Sequence, residues 1–192
     1  MQQNRVIIIG AVGRNGSGKD EVLKYLKAKH NIPFVSTGDL VREIAGKESL
    51  EPTRENLGKI SERYFRELGP GCFVKMLAAR LRQSSLKIAG ISGIRSLEDI
   101  RILKETCGKD FILVRVNVSD PHLRFQRMTQ RHEARDPRSY EQFLTQEASE
   151  EQLFHVGDAE KMADYTVNND GSLDELHAQL DRWFEQAKLP AD

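Results

Sequence analysis

Five short runs rich in apolar and β-branched residues punctuate the chain at 5–11, 33–36, 86–92, 111–118 and 164–168. Between them, apolar positions recur every three or four residues, which is the period of a helix packed on one side. The fourth run, Phe111-Ile112-Leu113-Val114-Arg115-Val116-Asn117-Val118, is almost continuously hydrophobic, as expected of a strand covered on both faces. Leu57, Ile60, Tyr64, Phe65 and Leu68 mark a helical stripe that stops at Gly69-Pro70-Gly71. Ser96 with Asp99, and Ser172 with Glu175, have the spacing of capping boxes that open two further helices. Ser119-Asp120-Pro121 starts another, and the last helix carries its apolar face on Leu173, Leu176, Leu180, Trp183 and Phe184. Strands alternating with helices in this way predict an α/β protein with a parallel sheet between two helical layers. No internal repeat or linker interrupts the pattern, so one domain over 1–192 is expected.

The first apolar run leads directly into Gly13-Arg14-Asn15-Gly16-Ser17-Gly18-Lys19-Asp20. Glycine at the first and sixth positions, followed by lysine, is the spacing of a phosphate-binding P-loop. Glycine lets successive backbone N–H groups converge on phosphate oxygens. The following helix adds the positive end of its dipole, and Lys19 adds a point charge for the β- and γ-phosphates. A nucleoside triphosphate is therefore the expected ligand of residues 13–20, with Mg²⁺ as its companion ion. The position after the lysine normally carries Ser or Thr, whose hydroxyl ligates Mg²⁺. Here it is Asp20. A carboxylate is a hard oxygen ligand suited to Mg²⁺, but it also sets a negative charge near phosphates. Asp20 either meets the metal directly or through water, or caps the helix while the metal sits elsewhere.

Bulk properties narrow the partners. Lysine plus arginine equals aspartate plus glutamate at 29 each, so no overall field draws the chain to nucleic acid or anionic lipid. No apolar run approaches membrane-spanning length and the start lacks a signal-peptide layout, which predicts a cytoplasmic protein, monomer or homodimer. Cys72 and Cys107 lie too far apart in sequence for a metal or redox pair and read as buried thiols. The five histidines have no metal-like spacing.

Further motifs carry a resemblance. Ser36-Thr37-Gly38-Asp39-Leu40-Val41-Arg42, at the end of the second run, resembles the acceptor-binding segment of nucleoside monophosphate kinases. That resemblance implies that Thr37 and Arg42 hold the acceptor. Ile91-Ser92-Gly93-Ile94-Arg95-Ser96 resembles the turn in which related kinases grip the acceptor phosphate with an arginine, here Arg95. The aspartate usual in that turn is replaced by Ser92, which leaves Asp20 or Asp39 to serve the metal. Arg124, Arg127, Arg131 and Arg135 fall at spacings that align them on one helical stripe, with Arg138 beyond. In the kinases such arginines form a mobile lid over the triphosphate, implying a catalytic role for Arg127, Arg131 and Arg135. The competing reading is a salt-bridged face with Asp120, Glu133 and Asp136. Ala163 to Ser172 is similar to the strand, turn and helix by which dephospho-CoA kinase and its relatives meet adenine. This implies base-side contacts from Asn168, Asn169 and Gly171, or else a purely structural turn.

In this order, the motifs resemble the P-loop nucleotide kinase superfamily along nearly the whole chain, closest to a group of nucleotide-kinase-like proteins related to dephospho-CoA kinase and adenylate kinase. Pro52-Thr53-Arg54-Glu55-Asn56-Leu57-Gly58 and Gly69-Pro70-Gly71 share that likeness. The resemblance implies a three-layer fold with a five-stranded parallel sheet. It divides the domain into a core of 1–36, 84–126 and 139–189, an acceptor flap near 37–83 and a short lid near 127–138. It also implies Mg²⁺-ATP as donor and a small phosphorylated acceptor, a (deoxy)nucleoside monophosphate first. A hydroxyl acceptor, as in dephospho-CoA, would instead want a base, and Asp39 stands where one is expected. A nucleotide-binding switch or ATPase remains an alternative of a different class. A nucleic-acid 5′-end kinase would need a basic track that the balanced charge does not supply.

Overall fold

The computed structural model describes residues 5–131 and 136–189. Among them, strands β1 (Ile7–Val12), β2 (Phe34–Ser36), β3 (Ile88–Ser92), β4 (Phe111–Asn117) and β5 (Tyr165–Asn168) form one sheet in the order β2-β3-β1-β4-β5. Every pairing is parallel, with Ile9 opposite Gly90 on one side and Ile112 on the other. The first strand thus lies at the centre, and its carboxyl end delivers the chain to a point where strand order reverses. Ligands of open α/β sheets bind at such a switch point. Each of the five predicted runs is a strand, with ends that differ from expectation by one or two residues.

Alternation along the strands separates two apolar layers. Ile9, Ala11, Val114, Val116 and Val167 face α1 (Lys19–His30) and α9 (Leu173–Gln186), whose Val22, Leu23, Leu26, Leu176, Leu180 and Trp183 are buried against them. Ile8, Val12, Ala89, Ile91 and Leu113 face the opposite layer. That layer contains α2 (Thr37–Lys47), α4 (Cys72–Arg82), α5 (Leu97–Cys107) and the short α8 (Val156–Lys161), with α3 (Arg54–Leu68) joined through Ile60. A short 3₁₀ turn, Gly108–Asp110, leads into β4. Both cysteines are free and buried in this second layer. Remaining helices are α6 (Pro121–Arg131) and α7 (Tyr140–Phe154).

Local signals act where the sequence places them. Ser96 and Ser172 both form complete capping boxes, with Asp99 and Glu175 reaching back to the cap backbone. Pro121 occupies the first turn of α6, where its missing N–H costs nothing. Gly69 ends α3 at φ 84°, a conformation that glycine adopts without strain. No described helix is long and apolar enough to cross a membrane.

Candidate functional site

The loop between β1 and α1 has the shape its sequence implies. Gly16 and Gly18 sit at φ 77° and 87°, in the left-handed region. A Cβ on Gly16 would lie 2.6 Å from the Arg124 carbonyl oxygen, and one on Gly18 would lie 2.5 Å from Asn169 Nδ2. Both glycines are therefore required by backbone conformation and by close approach of neighbouring chain. Gly18 is the N-cap of α1, so the helix begins at Lys19 with its first N–H groups directed at the loop. Burial pushes the Lys19 ammonium below its ordinary pKa; Asp20 and Glu150 act against this, while Arg95 and Arg131 reinforce it. Two arginines distant in sequence thus converge on the P-loop lysine. An anion would relieve the repulsion among the three cations, so the cradle fits a polyphosphate.

The loop is braced from three sides. Asn169, 4% exposed, donates from Nδ2 to the Ser17 carbonyl at 2.8 Å. Arg14 donates to Glu151 at 2.8 Å, and Asn15 Nδ2 donates to Glu150. Arg124, its side chain only 5% exposed, forms a two-pronged pair with Glu147 at 2.6 and 2.7 Å and also donates to the Asn15 carbonyl. Glu147, Glu150 and Glu151 recur at helical spacing on α7, so one acidic stripe engages the whole outer edge of the loop. The sequence reading missed these glutamates, although their spacing was visible. Ser17 Oγ, beneath the loop beside Gly13, is buried without a partner.

A separate cavity of about 1110 Å³ opens beyond the ends of β2 and β3. Thr37, Arg42 and Arg95 all line it, so the structure gathers the three expected acceptor residues around one space. Thr37 Oγ1 donates to the Gly93 carbonyl at 3.2 Å, tying the start of α2 to the turn that carries Arg95. Arg54, Arg101, Phe65 and Phe73 line the same cavity and were not anticipated. Arg54 lies in the Pro52–Gly58 segment and Arg101 in no motif, and only the packing of α3 and α5 around α4 brings them to a common wall.

Several expectations land differently. Asp39 is 73% exposed and clasped by Arg42 at 2.5 Å, a local pair that leaves it outside the main charges acting on Lys19. Asp20 is exposed and does act on Lys19. Asn169 also braces the P-loop from below through its side-chain amide. Asn168 accepts from Asn117 through Oδ1, and its N–H donates to Gln179. Arg127 reaches the Gly171 carbonyl at 3.4 Å, linking the arginine stripe to the turn after β5. Arg131 ends α6 and pairs with Asp136. Arg124 belongs to the loop's support and not to an exposed face, because Phe143 and Glu147 of α7 enclose it. Arg138 donates its backbone N–H to Gln142. Arg135 lies outside the described residues. Among those described, no cluster of three or more His, Cys, Asp or Glu could hold a metal by itself. Asp20 offers a hard carboxylate oxygen next to Lys19, a donor whose chemistry suits Mg²⁺.

A parallel sheet in this order, a glycine-cradled P-loop at its switch point and a second cavity beside it define a P-loop protein of the kinase type. By sequence the chain belongs to the AAA domain family, whose model matches residues 12–144, and it is a member of the P-loop nucleotide kinase superfamily. A relative from Thermococcus onnurineus, a UPF0200 protein, is 34% identical over 183 residues, covering 94% of this chain and 97% of its own. Shikimate kinase from Acinetobacter baumannii, solved in complex with shikimate, superposes with a TM-score of 0.58 at 16% identity, covering 97% of both chains. A gluconokinase from Sinorhizobium meliloti gives 0.55 at 16% identity, covering 97% of this chain and 98% of its own. At such identities the two structures establish the shared fold.

Proposed function

We propose that this chain is an ATP- and Mg²⁺-dependent phosphotransferase that moves the γ-phosphoryl group to a small phosphorylated acceptor, first a (deoxy)nucleoside monophosphate. The observation that carries this reading is the meeting of Thr37, Arg42 and Arg95 on one cavity, with Arg95 also within electrostatic reach of Lys19. A switch or simple ATPase has no use for a second anion-binding cavity opening beside the first. In the proposed reaction an oxygen of the acceptor phosphate forms a bond to Pγ, the bond from Pγ to the β,γ-bridging oxygen breaks, and ADP leaves. Such a nucleophile is already ionised and needs no base.

Loop residues 13–18 and Lys19 hold the donor phosphates in this reading. Thr37, Arg42 and Arg95 orient the acceptor, and Arg131 adds positive charge where the transferred group passes. Arg127, beside Gly171, serves the nucleoside end of ATP together with Asn168; Arg135 completes the lid. Mg²⁺, bound with ATP beside Asp20, would neutralise charge on the β- and γ-phosphates. Small-molecule kinases among proteins of this fold, and two buried free thiols, support a cytoplasmic enzyme.

The test is ADP release from Mg²⁺-ATP across ribo- and deoxynucleoside monophosphates and dephospho-CoA, against a no-acceptor control. Stimulation by one acceptor, with its phosphorylated product seen by mass, is the expected result. Tight ATP binding with no acceptor-dependent turnover would overturn the reading in favour of a switch.

A further inference from the structure

The acceptor cavity holds more cationic groups than one phosphate requires. Two arginines, each able to give a pair of N–H bonds, saturate the oxygens of a terminal phosphate that must leave one oxygen free to react. Arg42 and Arg95 fill that need beside Thr37. Arg54 and Arg101 nevertheless face the same space. No described group pairs with the Arg54 or Arg95 side chain, and Arg101 has only Glu98 at 3.9 Å. Both Arg54 and Arg101 are exposed to the cavity solvent, so neither serves as a buried structural ion pair.

Arg95 and Arg101 also stand at different ends. Arg95 precedes the N-cap of α5 and acts on Lys19. Arg101 lies a helical turn beyond Leu97, about 6 Å further along the axis at 1.5 Å per residue. Its charge acts on Asp158 of α8, on the side where His155 closes the cavity. Leu97, Phe73 and Leu57 give the cavity apolar lining, while Ser96, Glu98 and Asp99 also line it between the two arginines. A volume of about 1110 Å³ exceeds what a compact phosphorylated metabolite fills.

We infer that the acceptor carries two anionic groups set apart by an uncharged body. One is the phosphate that receives the γ-phosphoryl group, at Arg42 and Arg95. The other is a second phosphate or a carboxylate, bound by Arg101 with Arg54 supplying further positive charge. This rests on the phosphotransferase reading for the site but makes its own claim about ligand charge.

Calorimetry separates the two. Nucleoside 5′-monophosphates, the corresponding 3′,5′-bisphosphates and phosphorylated carboxylic acids are titrated into the ADP-loaded protein, and into Arg54→Gln and Arg101→Gln. A doubly anionic compound should bind at least about tenfold more tightly than its singly phosphorylated counterpart, the size of one good charge-assisted contact. Arg101→Gln should erase that advantage while changing monophosphate affinity by less than about twofold. The bisphosphate and carboxylate arms then say which second anion is read. Equal binding of singly and doubly anionic compounds, or an equal loss of both in Arg101→Gln, would overturn the inference. Preferential binding without any phosphoryl transfer would uphold it while refuting the proposed reaction.

Discussion

The two anion sites of this molecule are built on opposite principles. At the P-loop, polar side chains around the phosphate cradle are already engaged by the protein: Arg14 by Glu151, Asn15 by Glu150, Arg124 by Glu147 and the Ser17 carbonyl by Asn169. The cavity proposed for the acceptor instead presents Arg54 and Arg95, whose side chains no described group pairs, and Arg42 and Arg101 in exposed local pairs, along with an exposed Phe65 and Leu153. A braced cradle holds one fixed ligand shape at little ordering cost. An open wall of arginines waits for charge from the ligand. The P-loop's polar contacts are thus part of the fold's stability, whereas the arginines of the cavity proposed for the acceptor contribute little to it.

That difference makes distinct demands on substitutions. The largest effect is expected from Arg124→Ala, which removes one partner of a nearly buried pair and strands Glu147. Breaking such a pair costs about 3–5 kcal/mol, measurable by chemical denaturation, and the P-loop should lose ATP affinity with it. A stability change under about 1 kcal/mol would mean that the loop is not braced as described. Lys19→Ala should fold normally yet lower transfer by about 10²–10³-fold, the loss typical of one preorganised cationic or hydrogen-bonding group. Near-normal turnover would remove the P-loop from the mechanism.

Arg95→Ala tests the other site. Acceptor KM should rise about tenfold or more, with the denaturation midpoint unchanged, because the side chain has no described side-chain partner to lose. A matching loss of stability would erase the contrast between the sites. The smallest effect concerns Glu43 on α2, whose carboxyl is held at about 2 by hydrogen bonds first from Arg80 of α4 and then from Lys47. A depressed carboxylate contributes stability above its unfolded value near 4.5, and loses it as pH falls toward about 2. Glu43→Gln should therefore flatten the pH dependence of stability slightly within that window. Since the pair is solvent-exposed, the change should be small and should fade in high salt. A large, salt-independent change would show that α2 is fixed to α4 more firmly than an exposed ion pair allows.

How far each site could be read in advance follows from how its residues are distributed. The donor loop is eight consecutive residues whose glycines must adopt unusual backbone angles, so its chemistry is written contiguously. The braces are not: Glu147, Glu150 and Glu151 form a visible stripe, but nothing local says that the stripe meets residues 14 and 15. Arg124 illustrates the same limit. Its spacing with Arg127 and Arg131 placed it on one helix face, correctly, while its burial under α7 depended on a packing partner that periodicity does not name. Asn169 was expected on the base side through its backbone, and only the tertiary fold shows that its side amide meets the Ser17 carbonyl.

By itself, the sequence determined the alternation of strands and helices, the capping boxes and the phosphate cradle. These depend on hydrophobic period, backbone conformational preference and hydrogen bonds among residues a few positions apart. Tertiary structure decided which of many arginines are structural and which stay open to a ligand. It alone brought Arg54 and Arg101 to the cavity that Arg95 enters. Charge pairing is settled by distance in space, and α2, α3, α5 and α7 approach one another only after the apolar layers on the sheet have packed.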